Sequence, residues 1–222
     1  MRMSSPRKLG IGKGIIMLGY YNYTVWLTFL GFFSGVMGLF AAAGGRISTA
    51  VLLLGFSGIC DMFDGIVART RQRTDEEQRF GIQLDSLSDL VCFCVLPAFI
   101  GWNLGLHAPW QSFALAAFAL AGLIRLAYFN VAEETRQKNE TGVRKGYEGM
   151  PVTTMAIWVP LLWVLRGQMG TAFPLVYLGL LILSGFMFLF RRLRVPKLKL
   201  KQMLFLMVVG VMVLLALTLG RA

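Results

Sequence analysis

Four aspartates, Asp61, Asp64, Asp85 and Asp89, are the residues of this chain whose type and spacing could do chemistry. They lie in CDMFDGIVARTRQRTDEEQRFGIQLDSLSDL, at or near the ends of two segments apolar enough to enter a membrane. A lipid-facing carboxylate at that depth is costly, and ionisable residues placed there as a rule serve a function. Asp61 and Asp64 are three apart, and Asp85 and Asp89 are four apart, so on helices each pair shares a face. Two such helices brought together make a four-carboxylate cluster, which needs cations. Hard divalent metals match that oxygen donor set.

The neighbours of the acids extend the pattern. At about 100° per helical residue, Gly65 and Ala68 return to the face of Asp61 and Asp64 and clear space against the backbone. Arg69 follows at the rim, where a guanidinium can pair with a phosphate. On the next segment Gly81 opens the helix, Asp85 and Asp89 follow at steps of four, and Ser86 and Ser88 add hydroxyls. Metals held by Asp61, Asp64, Asp85 and Asp89 could clamp a diphosphate and stabilise charge on attacking and leaving oxygens. One carboxylate could take a proton from an attacking hydroxyl, and Asp89, the deepest, is the candidate base. The plainer alternative is a solvated salt-bridge cluster with Arg69 and Arg79. The shared register with Gly65, Ala68 and Gly81 argues against it.

Positioning these side chains falls to a membrane bundle. The chain is 56% hydrophobic, with a mean hydropathy of +0.65. Residues 23–45, 90–124, 167–190 and 202–220 contain no Asp, Glu, Lys or Arg. Each run is long enough to cross the hydrocarbon. The expected spans are 24–43, 47–68, 82–103, 110–132, 150–166, 171–190 and 203–219. A six-span arrangement with one interfacial helix is the alternative. The third and fourth spans share one uncharged run. Their break is expected at residues 101–109, where Gly, Asn and Pro suit a turn and Trp102 and Trp110 suit the membrane interface. The fold class is therefore an all-α integral membrane bundle of six to seven transmembrane helices with a cytoplasm-facing polar cavity. A basic lead, residues 1–23, precedes it and could include an interfacial helix; residues 24–222 form the transmembrane domain.

The net charge of +11 is unevenly spread. Basic residues cluster before the first span (Arg2, Arg7, Lys8, Lys13) and after the second, fourth and sixth, ending in RRLRVPKLKLK at 191–201. Only Arg46, Arg166 and Arg221 fall on the other side. The positive-inside rule makes the N-terminus, and with it the acidic cluster, cytoplasmic. A basic cytoplasmic face also suits anionic headgroups and phosphates. Cys60, Cys92 and Cys94 lie within spans and are expected to be free core thiols. Gly31 and Gly35 form a small-xxx-small pair on the first span, suited to close helix contact inside the bundle or, less simply, at a dimer seam. His107 falls in an outer loop, away from the acids. Glu76, Glu77, Glu133, Glu134 and Glu140 are expected to be solvated loop residues.

The string Asp61-x2-Asp64-Gly65-x2-Ala68-Arg69…Gly81-x3-Asp85-x3-Asp89 resembles the signature of the CDP-alcohol phosphotransferases. The resemblance implies a membrane enzyme that moves a phosphatidyl group from CDP-diacylglycerol to an alcohol and releases CMP. It implies two divalent metals, Mg2+ or Mn2+, on Asp61, Asp64, Asp85 and Asp89, and a CDP site at Gly65, Ala68, Arg69 and Gly81. It also implies a homodimer. One departure concerns the gap between Arg69 and Gly81. It holds eleven residues, Thr70 to Phe80, longer than the family's spacing, and the excess is expected in a polar loop.

Gly81-Ile82-Gln83-Leu84-Asp85-Ser86-Leu87-Ser88-Asp89, Arg125-Leu126-Ala127-Tyr128-Phe129-Asn130 and Glu148-Gly149-Met150-Pro151 are similar to stretches of the serine-accepting branch, the phosphatidylserine synthases. Cys94 stands where that branch usually has Gly, and Tyr128 where it often has Arg. An Arg inside a span needs a partner. Arg125 could bind the carboxylate of serine, with Asn130 beside it, or could pair with an aspartate or snorkel. The expected partners are CDP-diacylglycerol, serine, membrane lipids and a second copy, with no nucleic acid. Two rivals stand beside this reading: a different acceptor, such as glycerol phosphate or inositol phosphate aided by Arg144 and Lys145, and a divalent-cation transporter using the same acids.

Overall fold

A computed structural model describes residues 19–68, 70–139, 146–190 and 194–196, with side chains described in 19–68, 70–135 and 149–190. Arg69, Arg144, Lys145, the basic lead up to residue 18 and the expected seventh span lie outside the described residues. A short 3-10 turn, Tyr23–Val25, leads into α1 (Trp26–Ala43), followed by α2 (Ile47–Ala68) and α3 (Asp75–Asp89). A π-turn, Leu90–Val95, joins α3 to α4 (Leu96–Asn103) without a break, and α5 (Pro109–Asn139) follows. Next come α6 (Met155–Val164), a single turn α7 (Arg166–Met169) and α8 (Phe173–Leu189). A three-residue antiparallel pairing, β1 (Gly146–Glu148) with β2 (Arg194–Pro196), links two connections. Helices satisfy every backbone hydrogen bond internally, as the hydrocarbon requires.

Among the described residues, five helical segments are long and apolar enough to cross a membrane: Tyr23–Ala43, Ile47–Ala68, Asp75–Asn103, Pro109–Thr135 and Arg166–Leu189. A shorter apolar one, Val152–Val164, accompanies them. The protein is an all-α membrane protein. The break at 101–109 is where its composition placed it. Two other boundaries differ from expectation. Gly81 does not open the third helix, because the helix starts six residues earlier at Asp75, capped by Thr74 in a reciprocal box with Glu77. Residues 133–139 are not loop but the end of α5. That helix has 31 residues, about 46 Å at the standard rise, and so outruns a hydrocarbon core.

The glycine face of α1 is used inside the bundle. Cβ atoms built at Gly31, Gly35 and Gly38 would press on Cys60, Cys92 and Leu96. Backbones at these positions approach closely, as small residues permit. The α1–α2 hairpin turns on Gly45 at φ +73, with Arg46 N–H donating to Ala41 O at 2.8 Å. Arg46, His107 and Arg166 belong to turns at the end opposite the aspartates. Arg166 stacks over Trp163 at 4.8 Å. The core is built from the π-turn outward, through Cys92, Phe93, Leu96, Ile100, Met155 and Val159. Cys60, Cys92 and Cys94 are free and buried.

Cys94 is accommodated by a glycine opposite. A Cβ at Gly122 would collide with the Cys94 sulfur. Gly122→Ala should therefore destabilise the bundle by about 1–3 kcal/mol through overpacking. Adding Cys94→Gly should recover most of that loss, because the two sites share one volume. Thermal unfolding of the four proteins in detergent, read as a double-mutant cycle, measures the coupling.

Candidate active site at the acidic end of the bundle

The C-terminal half of α2 carries Asp61 and Asp64, and α3 carries Asp85 and Asp89. Both helices pack against α1, whose Gly31 and Gly35 let Cys60 of α2 and Cys92, just beyond α3, approach closely. One carboxylate oxygen from each of Asp61, Asp64 and Asp85 lies within 4.8 Å of the others. Asp89 sits a turn deeper and is only 9% exposed. Across the helix pair, Asp61 comes within hydrogen-bonding reach of Asp89 and Asp64 within reach of Asp85. The four expected residues do converge. They line a cavity of about 10 Å³ with Thr28, Gly31, Ser57, Ser88 and Phe93. That space suits an ion or a water rather than a lipid. Three clustered carboxylates form the oxygen-rich donor set that a hard divalent cation takes.

Thr28 was not evident beforehand. Its Oγ1 donates to Asp64 Oδ2 at 3.1 Å, holding that carboxylate in one orientation. A threonine in an apolar span costs little, so composition does not single it out. The spacing Thr24-x3-Thr28 on one face was the available signal. Asn22 and Thr24 were missed as well. Both are buried, and the Asn22 carboxamide oxygen accepts from Thr24 N–H at 3.1 Å, with the Thr24 hydroxyl on the same oxygen.

At the mouth, a Cβ built at Gly65 meets nothing within 4 Å, so open space stands before α2 there. Ala68 continues that helix to its end. The segment after it is held by side chains. Tyr23 OH and Thr70 Oγ1 are 2.9 Å apart, and Thr70 Oγ1 donates to Val67 O at 2.7 Å. Glu76 and Glu77 are not merely solvated. Tyr20 OH donates to Glu76 Oε2 at 2.7 Å, which pushes the phenol pKa up. Asn22 Nδ2 donates to Glu77 Oε1 at 3.5 Å, and Arg71 pairs with Glu77 at 3.6 Å. The long gap thus resolves into a five-residue turn, 70–74, and the first turns of α3.

Asn130 of α5 joins the far side of α3. Ser86 Oγ donates to Asn130 Oδ1 at 2.9 Å, and Asn130 Nδ2 donates to Gln83 Oε1 at 3.5 Å. Arg125 is buried at 9% exposure, close enough to Cys94 for its charge to act there. It is not among the residues lining the acidic cavity. Tyr128 is half exposed. Glu133 and Glu134 lie on α5 rather than in a loop. His107 is exposed and stacks on Trp102 at 4.5 Å, far from the acids.

Comparison with known proteins agrees with this geometry. The CDP-alcohol phosphatidyltransferase family profile matches residues 21–221. A CDP-diacylglycerol–serine O-phosphatidyltransferase of Saccharomyces cerevisiae is 41% identical over 112 residues, covering 49% of this chain and 40% of that protein. One from Helicobacter pylori is 33% identical over 162 residues, covering 69% and 63%. An archaetidylserine synthase of Methanothermobacter thermautotrophicus is 26% identical over 162 residues, covering 72% and 66%. Each match spans less than two thirds of the relative's own length.

Proposed function

The chain belongs to the CDP-alcohol phosphatidyltransferase family, and from that premise we propose that it transfers the phosphatidyl group of CDP-diacylglycerol to L-serine, releasing CMP. The observation that carries this reading is the meeting of Asp61, Asp64 and Asp85 oxygens within 4.8 Å, at one end of a membrane bundle, with Asp89 a turn deeper. The choice of serine is supported by the relatives named for that acceptor.

Asp61, Asp64 and Asp85, with Asp89, would hold the divalent metals, whose charge would stabilise the diphosphate oxygens. Gly65, Ala68, Arg69 and Gly81 would seat the CDP moiety. Arg125 is suited to the serine carboxylate, and Asn130 to its polar groups. Asp89 would accept the hydroxyl proton of serine. The serine oxygen then bonds to the phosphorus beside diacylglycerol, and the bond from that phosphorus to the oxygen of CMP breaks. The proton count closes when Asp89 returns its proton to water. The N-terminus and the acidic end are assigned to the cytoplasm by charge. A homodimer is part of the proposal, with exposed aromatics such as Phe33, Phe113 and Phe186 available to a second copy or to lipid.

Membranes containing the chain should release CMP from CDP-diacylglycerol when serine and Mg2+ or Mn2+ are supplied. Release with glycerol 3-phosphate or inositol phosphate alone would make the serine assignment wrong. No release with any alcohol, together with Mn2+ uptake into liposomes, would favour a transporter.

A further inference from the structure

We infer that Arg73, in the turn between α2 and α3, is a second cation for the diphosphate of the nucleotide; the inference rests on the reading of this site as a CDP-lipid site. Three observations converge on it. First, a Cβ at Gly81 would come within 3.2 Å of Arg73 Nη1, so the guanidinium lies over the glycine that stands one helical turn before Asp85. Second, Arg73 is half-buried while Arg71 and Gln72 beside it are exposed. Third, its charge lies near enough to act on Asp64 and Glu77, yet among the described residues the ion pair of Glu77 is made by Arg71.

Local forces do not favour this placement. Arg73 immediately precedes the N-cap Thr74, where the positive end of the helix dipole disfavours a cation. Asp75, Glu76 and Glu77 in the first turn already answer that dipole. The turn is nonetheless anchored at both ends, at Thr70 by Tyr23 and Val67 and at Thr74 by the capping box. A guanidinium held over Gly81 and near Asp64 is placed to donate to phosphate oxygens lying between the acids and the open face of Gly65. The longer gap between Arg69 and Gly81 thereby acquires a purpose. It supplies a turn from which a second arginine reaches back over Gly81.

The test is binding of CDP with Mg2+ to the full chain in phosphatidylcholine nanodiscs, where anionic headgroups are absent. Arg73→Gln should raise the Kd for CDP about 10- to 100-fold, the loss of a charge-assisted hydrogen bond. Arg73→Lys should recover part of that loss. Arg71→Gln should leave Kd within about twofold, since its exposed pair contributes little. In turnover assays the KM for CDP-diacylglycerol should rise with Arg73→Gln while the KM for serine holds. An unchanged Kd in Arg73→Gln, or an equal loss in Arg71→Gln, overturns the inference, as does wild-type protein that binds no CDP. If no alcohol supports CMP release but Arg73→Gln still weakens CDP, the proposed reaction fails and this residue assignment stands.

Discussion

Asp89→Asn should slow CMP release by about 10²- to 10⁴-fold, the range for loss of a general base, while CDP-diacylglycerol still binds. Asn keeps the size and shape of the side chain but carries neither its negative charge nor its ability to take a proton. The geometry separates this position from its neighbours. The three oxygens that approach within 4.8 Å belong to Asp61, Asp64 and Asp85, whereas Asp89 lies a turn deeper and buried, facing Asp61. A hydroxyl entering the cavity from the mouth would meet the trio first and Asp89 last, so on the proposed reading the trio would be the main ligands of the ions and Asp89, contributing to them, would take the proton. Single-turnover CMP release beside equilibrium binding of CDP-diacylglycerol separates the two roles. Parallel loss of binding and turnover would make Asp89 chiefly a metal ligand.

Asp61→Asn should act the other way on affinity. Replacing one of the three close carboxylates by a neutral amide should abolish tight Mn2+ binding and lower kcat/KM about 10²- to 10³-fold, several kcal/mol of lost charge stabilisation. The same substitution should stabilise the metal-free protein. Without a cation, four carboxylates crowd one end of the bundle, three of them partly buried and one buried, and like charges there repel. The expected result is crossed: with EDTA, Asp61→Asn unfolds at a higher temperature than wild type, and with Mn2+ the order reverses. An unchanged order, with Asp61→Asn melting higher in Mn2+ as it does in EDTA, would mean that the cluster binds no ion there, and equal melting temperatures in EDTA would mean that the acids do not repel. Such opposition between stability and activity is common where function demands crowded charge.

Much of the site was legible because the acids are expensive where they stand. Helical spacing put Asp61 with Asp64 and Asp85 with Asp89, and the low charge of the spans marked the helices that carry them. Gly65 faces open space as its place in the pattern implied. What escaped was cheap or local. Thr28 reaches Asp64 from a span where a threonine passes unremarked. The start of α3 was in fact written in Thr74-x2-Glu77, a capping-box spacing, but the polar composition of 70–80 suggested loop. The end of α5 was hidden for the same reason, since Glu133 to Asn139 is polar yet helix-forming. Arg125 was found as an oddity, and the structure buries it near Cys94 rather than in the wall of the acidic cavity.

The π-turn at Leu90–Val95 has a consequence for how such a protein can vary. An α-helix is a rigid clock: one residue added or removed turns everything beyond it by about 100°. A wide turn directly after Asp89 is a phase adjuster set between the two halves of one span. The half bearing Asp85 and Asp89 keeps its angle to α2, while the half from Leu96 to Trp102 can be turned to suit Tyr177, Leu115 and the lipid around it. Chemistry and packing thus occupy one rod without sharing one rotation, and the half from Leu96 onward can answer to its core neighbours while the acids hold still.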